Sequence, residues 1–453
     1  MSRVALVYPY FRTRAPTELL FAPLGVAVLA MHLRELGIDA RVFDCTFSTF
    51  EQVGAALLDY QPDIVGVHAM ITLSRNSFRI ARMVREDLPS SLLVAGGPLP
   101  TLYPERFSDG FDVVFRGEAD LSFPRFCQDF LKLPAASPRD LSALPLGSYA
   151  GLFLRRDGLS FDNAPIHHSE KELDSFPLPY RGDFDHAAYQ QAGLLKDGAK
   201  TTSIITTYGC PFDCDFCSRP VFGRTFRRRS LASVLDEIES IRQLGYDSLW
   251  IADDNFTLDL SYLKEFCRQM VGRNMTWSCL SRVTGLNAQI AGMMRAAGCR
   301  RVYLGLESGS EETLRLMNKK ATLEEGIRAV SVFQEVGIEV AAFFIVGYPG
   351  ETTSSIESTF RLALTLPLDI ISFNVPFPLP GSRMFERVAE LDKDKDWDTE
   401  NEVTFVYRSE FDEAWLRHRI EETMSAFADK QAARARRALA SDLDSPSKPT
   451  SAV

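Results

Sequence analysis

The chain has 453 residues, 45% hydrophobic and 24% charged, with a formal net charge of −10, which is enough for two or three globular domains with separate cores. The acidic balance argues against a nucleic-acid backbone as the main partner, because such binding needs a net basic surface. No run approaches the roughly 20 apolar residues of a membrane span, and the first residues lack the basic start and cleavage site of a secretory signal, so a cytoplasmic protein without membrane attachment is expected.

Residues 1–133 alternate short apolar strands with amphipathic helices. Val4–Tyr8, Arg41–Phe43, Asp63–Val67 and Leu92–Ala95 read as strands. Pro23 suits the first turn of a helix, and Gly37 suits the end of the periodic stretch Val26, Leu29, Ala30, Leu33 and Leu36. Strands separated by helices predict an α/β, doubly wound parallel sheet whose ligand lies beyond the carboxyl ends of its strands.

Over residues 134–200 the periodicity fades and prolines accumulate, at Pro134, Pro138, Pro145, Pro165, Pro177 and Pro179. This reads as a connector with one small hairpin around the turn pair Asp157-Gly158. From Thr201 to about Phe385 the alternation resumes six times, with strands near Ser203–Thr207, Ser248–Ile251, Thr276–Leu280, Arg301–Leu306, Val340–Val346 and Ile370–Val375. Six βα units predict a partial (β/α)6 barrel. Leu231, Val234, Leu235, Ile238 and Ile241 mark the apolar face of a helix opening at Ser230, and Thr322 with Glu325 forms a capping box. Residues 386–444 should be helical and 445–453 disordered. The one basic run, Arg224 with Arg227–Arg229, reads as a solvated loop and helix start.

Of the eight cysteines, three stand together in Cys210-Pro211-Phe212-Asp213-Cys214-Asp215-Phe216-Cys217, after the first strand of the second series. Active sites of barrels occupy this loop position. Three thiolates can hold three irons of a four-iron cubane and leave the fourth open to an exogenous ligand. A structural zinc site would want four ligands in pairs, yet no second cysteine pair exists and no histidine lies between His186 and His418. The other five cysteines read as buried thiols.

Residues Thr201 to about Phe385 resemble the radical S-adenosylmethionine superfamily. The resemblance rests on the cysteine loop with Phe216, on Ala252-Asp253-Asp254-Asn255-Phe256-Thr257, on Arg282, on Gly305-Leu306-Glu307-Ser308-Gly309, and on Gly347-Tyr348-Pro349-Gly350-Glu351, each after a successive strand. It implies that Cys210, Cys214 and Cys217 hold a 4Fe-4S cluster whose open iron is chelated by S-adenosylmethionine. Reduction by an external donor such as flavodoxin or ferredoxin would then release a 5′-deoxyadenosyl radical. It further implies that Phe216 borders the adenine, that Glu307 and Ser308 bond the ribose or methionine end, that Arg282 meets the ribose or carboxylate, and that Gly347 and Pro349 shape the adenine wall. Asp254, standing where the family often has Glu after a glycine-rich pair, joins this cofactor-binding set.

The amino-terminal half is similar to the subclass carrying a cobalamin-binding domain. The similarity rests on Ala22-Pro23-Leu24-Gly25, Asp44, Pro62-Asp63-Ile64-Val65-Gly66, Gly96-Gly97-Pro98 and Arg116-Gly117-Glu118-Ala119. It implies cobalamin across the strand ends near Val67–Ser74 and Gly96–Thr101. The Asp-x-His-x-x-Gly loop that supplies a cobalt ligand is absent, and Leu99 stands where relatives often carry His. His68 reads as a hydrogen-bonded core histidine, so bound cobalamin is expected to show no histidine coordination. The expected function is methylation of an unactivated carbon or phosphorus centre of a small molecule, in specialised-metabolite biosynthesis. Two alternatives stay open: a radical enzyme for dehydration, rearrangement or ring formation that binds no cobalamin, and a non-catalytic iron–sulfur carrier, which would not need Arg282, Glu307 and Gly347.

Overall fold

A computed structural model describes residues 2–12, 20–133, 140–156, 158–217, 221–388 and 405–443, with side chains as far as Arg436. The first sheet contains β1 (Arg3–Tyr8), β2 (Asp39–Asp44), β3 (Ile64–His68), β4 (Leu92–Gly96), β5 (Val113–Phe115), β6 (Leu152–Arg156) and β7 (Leu159–Asp162), in the order β2-β1-β3-β4-β5-β6-β7. The first five are parallel; β6 pairs antiparallel with β5, and β7 antiparallel with β6. The central strands are nearly continuous runs of Val, Ile, Leu and Ala because helices cover both faces and leave no wet side. The helix Leu24–Glu35 follows Pro23, and Gly37 closes its turn at φ +75°.

The hairpin around Gly158 is therefore the far edge of the first sheet. The three-residue β5 was too short to register in the sequence, and without it the hairpin had nothing to dock on. Two more helices, Glu170–Ser175 and His186–Asp197, occupy the stretch where periodicity was weak.

The second sheet is formed by β8 (Thr201–Ile204), β11 (Ser248–Ile251), β12 (Thr276–Ser281), β13 (Cys299–Glu307), β14 (Glu339–Ile345) and β15 (Ile370–Asn374). All are parallel, in the order β15-β14-β13-β12-β11-β8, so the described residues form an open six-stranded barrel wall. Between β8 and β11, the short strands β9 (Thr207–Tyr208) and β10 (Arg227–Arg228) make an antiparallel ladder above the first barrel strand. The helix Leu231–Gln243 buries Val234, Ile238 and Ile241 and is capped by Ser230, and the Thr322–Glu325 capping box opens the helix Leu323–Glu335. Trp277 is fully buried between the edges of Phe256 and Phe266, and its indole N–H donates to the Ala297 carbonyl at 2.8 Å. The carboxyl-terminal helix Glu413–Leu443 packs on Thr353–Thr365 through the Arg419–Glu357 pair at 2.7 Å. The expected disordered tail lies outside the described residues. Among those described, no helix is long and apolar enough to cross a membrane.

The basic run is only partly a solvated face: Arg224 is exposed, but two of its arginines are buried. Arg227 is buried and grips Glu118, which follows β5, with guanidinium–carboxylate distances of 2.6 and 2.7 Å; it also donates to the His168 carbonyl at 2.9 Å. Arg229 is buried on Glu237, which also accepts from Arg181 at 2.8 Å. Guanidinium groups bury only where carboxylates and carbonyls answer their fork, and for Arg227 and Arg181 the acceptors come from distant segments that no local pattern discloses. Glu118→Ala strands a buried arginine between the two sheets. We expect it to cost about 3–5 kcal/mol, read as a lowered denaturation midpoint, whereas Asp162→Ala on the exposed side of the Arg116 pair should change little.

Candidate cofactor site

The three clustered cysteines lie half-buried in the loop after β9, and the other five are buried. The loop is braced from two sides. The Asp215 amide donates to the Met317 carbonyl at 3.0 Å, the Met384 amide donates to the Asp215 carbonyl at 3.1 Å, and Arg387 reaches the Asp215 carboxylate at 3.1 Å. Among the described residues, no group of three or more His, Cys, Asp or Glu side chains stands close enough to hold one ion. In a cubane each of the three thiolates would take a different iron. Burial raises the Cys210 thiol above its usual range, with Asp254 adding a like charge and Arg282 opposing both.

The structure brings several of the expected residues to this loop. Arg282 follows β12, stacks 3.7 Å over Phe212, donates to the Cys214 sulfur at 3.3 Å and also bonds the Lys319 carbonyl. Its first contact is thus the cluster loop. Asp254 is exposed, whereas its neighbour Asp253 is buried and ties the end of β11 to Thr206 (2.6 Å to its amide) and Thr207 (2.8 Å to its hydroxyl). Burial raises the Asp253 pKa to about 6, against the lowering effect of those bonds.

Glu307 ends β13 in the left-handed region at φ +62°, beside a register irregularity, with its carboxylate 2.6 Å from Lys319. Lys319 Nζ lies 5.9 Å from the Phe216 ring centre. A Cβ at residue 305 would stand 2.3 Å from the Glu307 carboxylate, so only Gly305 lets this ion pair lie over the strand. Lys319 carried no signal in the sequence, because nothing in Met317-Asn318-Lys319-Lys320 announces a partner on the preceding strand.

Two further residues of the expected set also have partners within the protein. Ser308 is fully buried, and its hydroxyl is taken by Thr359 at 3.1 Å and the Ser310 amide at 3.2 Å, so it braces the loop. Gly347 has φ +81°, and a Cβ there would meet Phe405 at 2.6 Å and Leu416 at 3.2 Å. The space it protects is filled by carboxyl-terminal side chains, a contact too remote in sequence to be foreseen. Pro349 is half-buried in the same turn, which Glu351 holds by accepting from the Gly347 and Tyr348 amides at 2.8 and 2.9 Å.

A second site lies at the carboxyl edge of the first sheet. A cavity of about 300 Å³ opens between that edge and the start of the barrel, lined among others by His68, Gly96, Thr101, Phe115, Ile205 and Tyr208. It penetrates between the sheet and its helices, reaching Leu6, Leu29 and Phe123, as an elongated arm of a large ligand would require. His68 does not have the hydrogen-bonded surroundings expected of it: no described residue bonds its ring nitrogens, and burial lowers its pKa to about 4.

A model of the Radical SAM superfamily matches residues 204–363, and a model of the B12 binding domain matches residues 14–126. An uncharacterized methyltransferase of Pyrococcus horikoshii is 30% identical over 375 residues, covering 80% of this chain and 78% of the relative. The anaerobic magnesium-protoporphyrin IX monomethyl ester cyclase of Rubrivivax gelatinosus is 27% identical over 421 residues, 90% of this chain and 73% of the relative. The structure of the radical S-adenosylmethionine methyltransferase TsrM from Kitasatospora setae, with cobalamin and a 4Fe-4S cluster bound, superposes with a TM-score of 0.71 at 22% identity, covering 86% of this chain and 78% of that one. The chain belongs to the radical SAM superfamily. Within it, this is an enzyme of the subclass that carries a B12-binding domain ahead of the barrel, and the carrier alternative falls away.

Two measurements check the site. Cys214→Ala should remove the iron–sulfur absorbance of anaerobically reconstituted protein, together with reductive cleavage of S-adenosylmethionine; retention of cleavage would discard the ligand assignment. Glu307→Ala should keep the cluster absorbance but weaken S-adenosylmethionine binding by about 1–3 kcal/mol, as the loss of a buried charged hydrogen-bond partner does. An unchanged binding isotherm would leave Glu307 with Lys319 as its only business.

Proposed function

We propose that this enzyme is a cobalamin-dependent methyltransferase acting on an unactivated carbon or phosphorus centre of a small molecule. The observation that carries the reading is the cavity between the carboxyl edge of the first sheet and the start of the barrel, lined on the barrel side by Ile205, Tyr208, Val221 and Phe222. When bound, the cluster, S-adenosylmethionine and cobalamin supply a carbon radical and a transferable methyl group; the protein supplies position and a dry site.

Cys210, Cys214 and Cys217 would hold the cluster, with Arg282 offsetting thiolate charge beside Cys214. Glu307, fixed by Lys319, presents a carboxylate to the amino or ribose groups of S-adenosylmethionine, and Phe216 gives its purine a flat neighbour. Asp254 is the exposed carboxylate at the same mouth and would accept from the same cofactor. The apolar walls Leu29, Phe115 and Phe123 would exclude water around cobalamin, and the buried Glu118–Arg227 pair would keep the two halves in register. An external one-electron donor, flavodoxin or ferredoxin in kind, is required to start each radical cycle.

The cyclase relative supports a second reading, ring formation or rearrangement on the same frame. Methyl-labelled S-adenosylmethionine separates them. We expect near-stoichiometric cobalt after reconstitution and label carried into a small-molecule product. Turnover by cobalt-free protein, with no label in the product, would promote the ring-forming reading in its place.

A further inference from the structure

The cysteine loop concentrates negative charge. Asp213 and Asp215 stand between its ligands, so three thiolates ready for iron would share eight residues with two carboxylates. Like charges repel and disfavour one another's ionised forms. A loop of this composition must turn its carboxylates away from the thiolates and neutralise them.

The structure does both. From one side, Arg282 donates to the Cys214 sulfur at 3.3 Å. From the other, the short helix Arg383–Arg387 lies along the loop. Arg383 pairs with Asp213 and stands 3.9 Å from the Asp215 carboxylate, and the Met384 amide donates to the Asp215 carbonyl at 3.1 Å. Arg387 donates to the Asp215 carboxylate at 3.1 Å and to the Leu316 carbonyl at 3.2 Å. Asp215 is buried, and it heads a tight turn in which the Cys217 amide donates to the Cys214 carbonyl at 3.3 Å. Displacing Asp215 therefore displaces two of the three ligands.

The helix is placed by the run Pro376-Phe377-Pro378-Leu379-Pro380-Gly381 that follows β15. Its prolines cannot continue the strand ladder, and Gly381 turns the chain at φ +80°. Ser382 then caps the helix, its hydroxyl accepting from the Phe385 amide at 3.2 Å and donating to the Leu379 carbonyl at 2.6 Å. The run thus aims two arginines and one amide at the ligand loop. Exposed ion pairs contribute little on their own. Here the carboxylate is buried between ligands, so removing Arg387 leaves a bare charge where the thiolates must gather.

We propose that the helix Arg383–Arg387 is a clamp for the iron–sulfur cluster, and that Asp215 is the positioning residue through which it holds Cys214 and Cys217. The clamp rests on the cluster assignment above and not on cobalamin or the reaction catalysed.

The test follows the full chain, reconstituted anaerobically with iron and sulfide, by the decay of its 4Fe-4S absorbance in excess chelator, alongside the melting midpoint of each protein. Arg387→Ala should speed the decay about tenfold, as a buried charge left without its partner implies. Asp215→Asn should speed it about threefold, as the loss of one charged contact implies. The double variant should decay like Asp215→Asn, because the bare charge is gone, and Arg387→Lys, which keeps the positive charge, should recover most of the wild-type retention. Arg419→Ala breaks a partly exposed pair on the carboxyl-terminal helix and should leave the decay unchanged. If the wild type holds its cluster and the Asp215 and Arg387 variants decay at the same rate, the clamp is overturned and the cluster assignment stands. Decay that merely follows the melting midpoints, Arg419→Ala included, marks general destabilisation and overturns the clamp as well. A wild type that takes up no cluster overturns both. Asp215→Asn and Arg387→Lys nearly preserve shape, so they decide the question even if Arg387→Ala does not fold.

Discussion

The buried pairing of Glu118 with Arg227 is the constraint on which the geometry between the two sheets depends. An arginine with fewer than a tenth of its surface exposed must have its fork satisfied, and this one is satisfied only if the end of β5 and the β9–β10 ladder lie face to face. Its neighbours add to the demand. Arg229 and Arg181 share Glu237, and Arg181 also donates to the Ser203 carbonyl of β8 at 2.9 Å. Such pairs contribute little net stability over an apolar substitute, but a wrong alignment leaves bare charges in a low-dielectric interior, so they select one arrangement strongly. The cavity between the carboxyl edges is the space which that arrangement leaves.

Much of the fold was legible in the sequence because parallel strands buried on both faces read as plain apolar runs and their helices read as one-sided stripes. Val4–Tyr8, Leu92–Ala95 and the helix opening at Ser230 emerged within a residue or two of where they stand. What escaped was short or non-local. The three residues Val113–Phe115 carry too few side chains to show a period, and only their pairing with β6 makes them a strand. Arg227 and Arg229 look like solvated cations until Glu118, distant in sequence, and Glu237, on the helix that follows, are brought against them.

The candidate site divides in the same way. The cysteine loop, Arg282 and Glu307 stand out by residue type and by position after a strand, and the fold gathers them. Their immediate partners were invisible: Lys319 for Glu307, the Lys319 carbonyl for Arg282, and Phe405 for the absent side chain of Gly347. Spacing within a motif encodes the chemistry to be done, whereas the groups that fix those side chains are drawn from wherever packing brings them. His68 is the complementary case, a residue whose lack of a bond becomes visible only in three dimensions.

The first five strands of the first sheet and all six of the second are parallel, so within each set every strand releases its chain toward the same side, and those two sides face one another. The loops at the strand ends therefore form the rim between the two sheets, while most of the apolar residues that keep each sheet intact lie behind it. Changes in the loops can reshape what is admitted without disturbing what holds the frame together. A lineage built this way can change substrates cheaply, and the kinship of one chain with proteins named for methyl transfer and for ring closure is the expected product of such a separation between scaffold and chemistry.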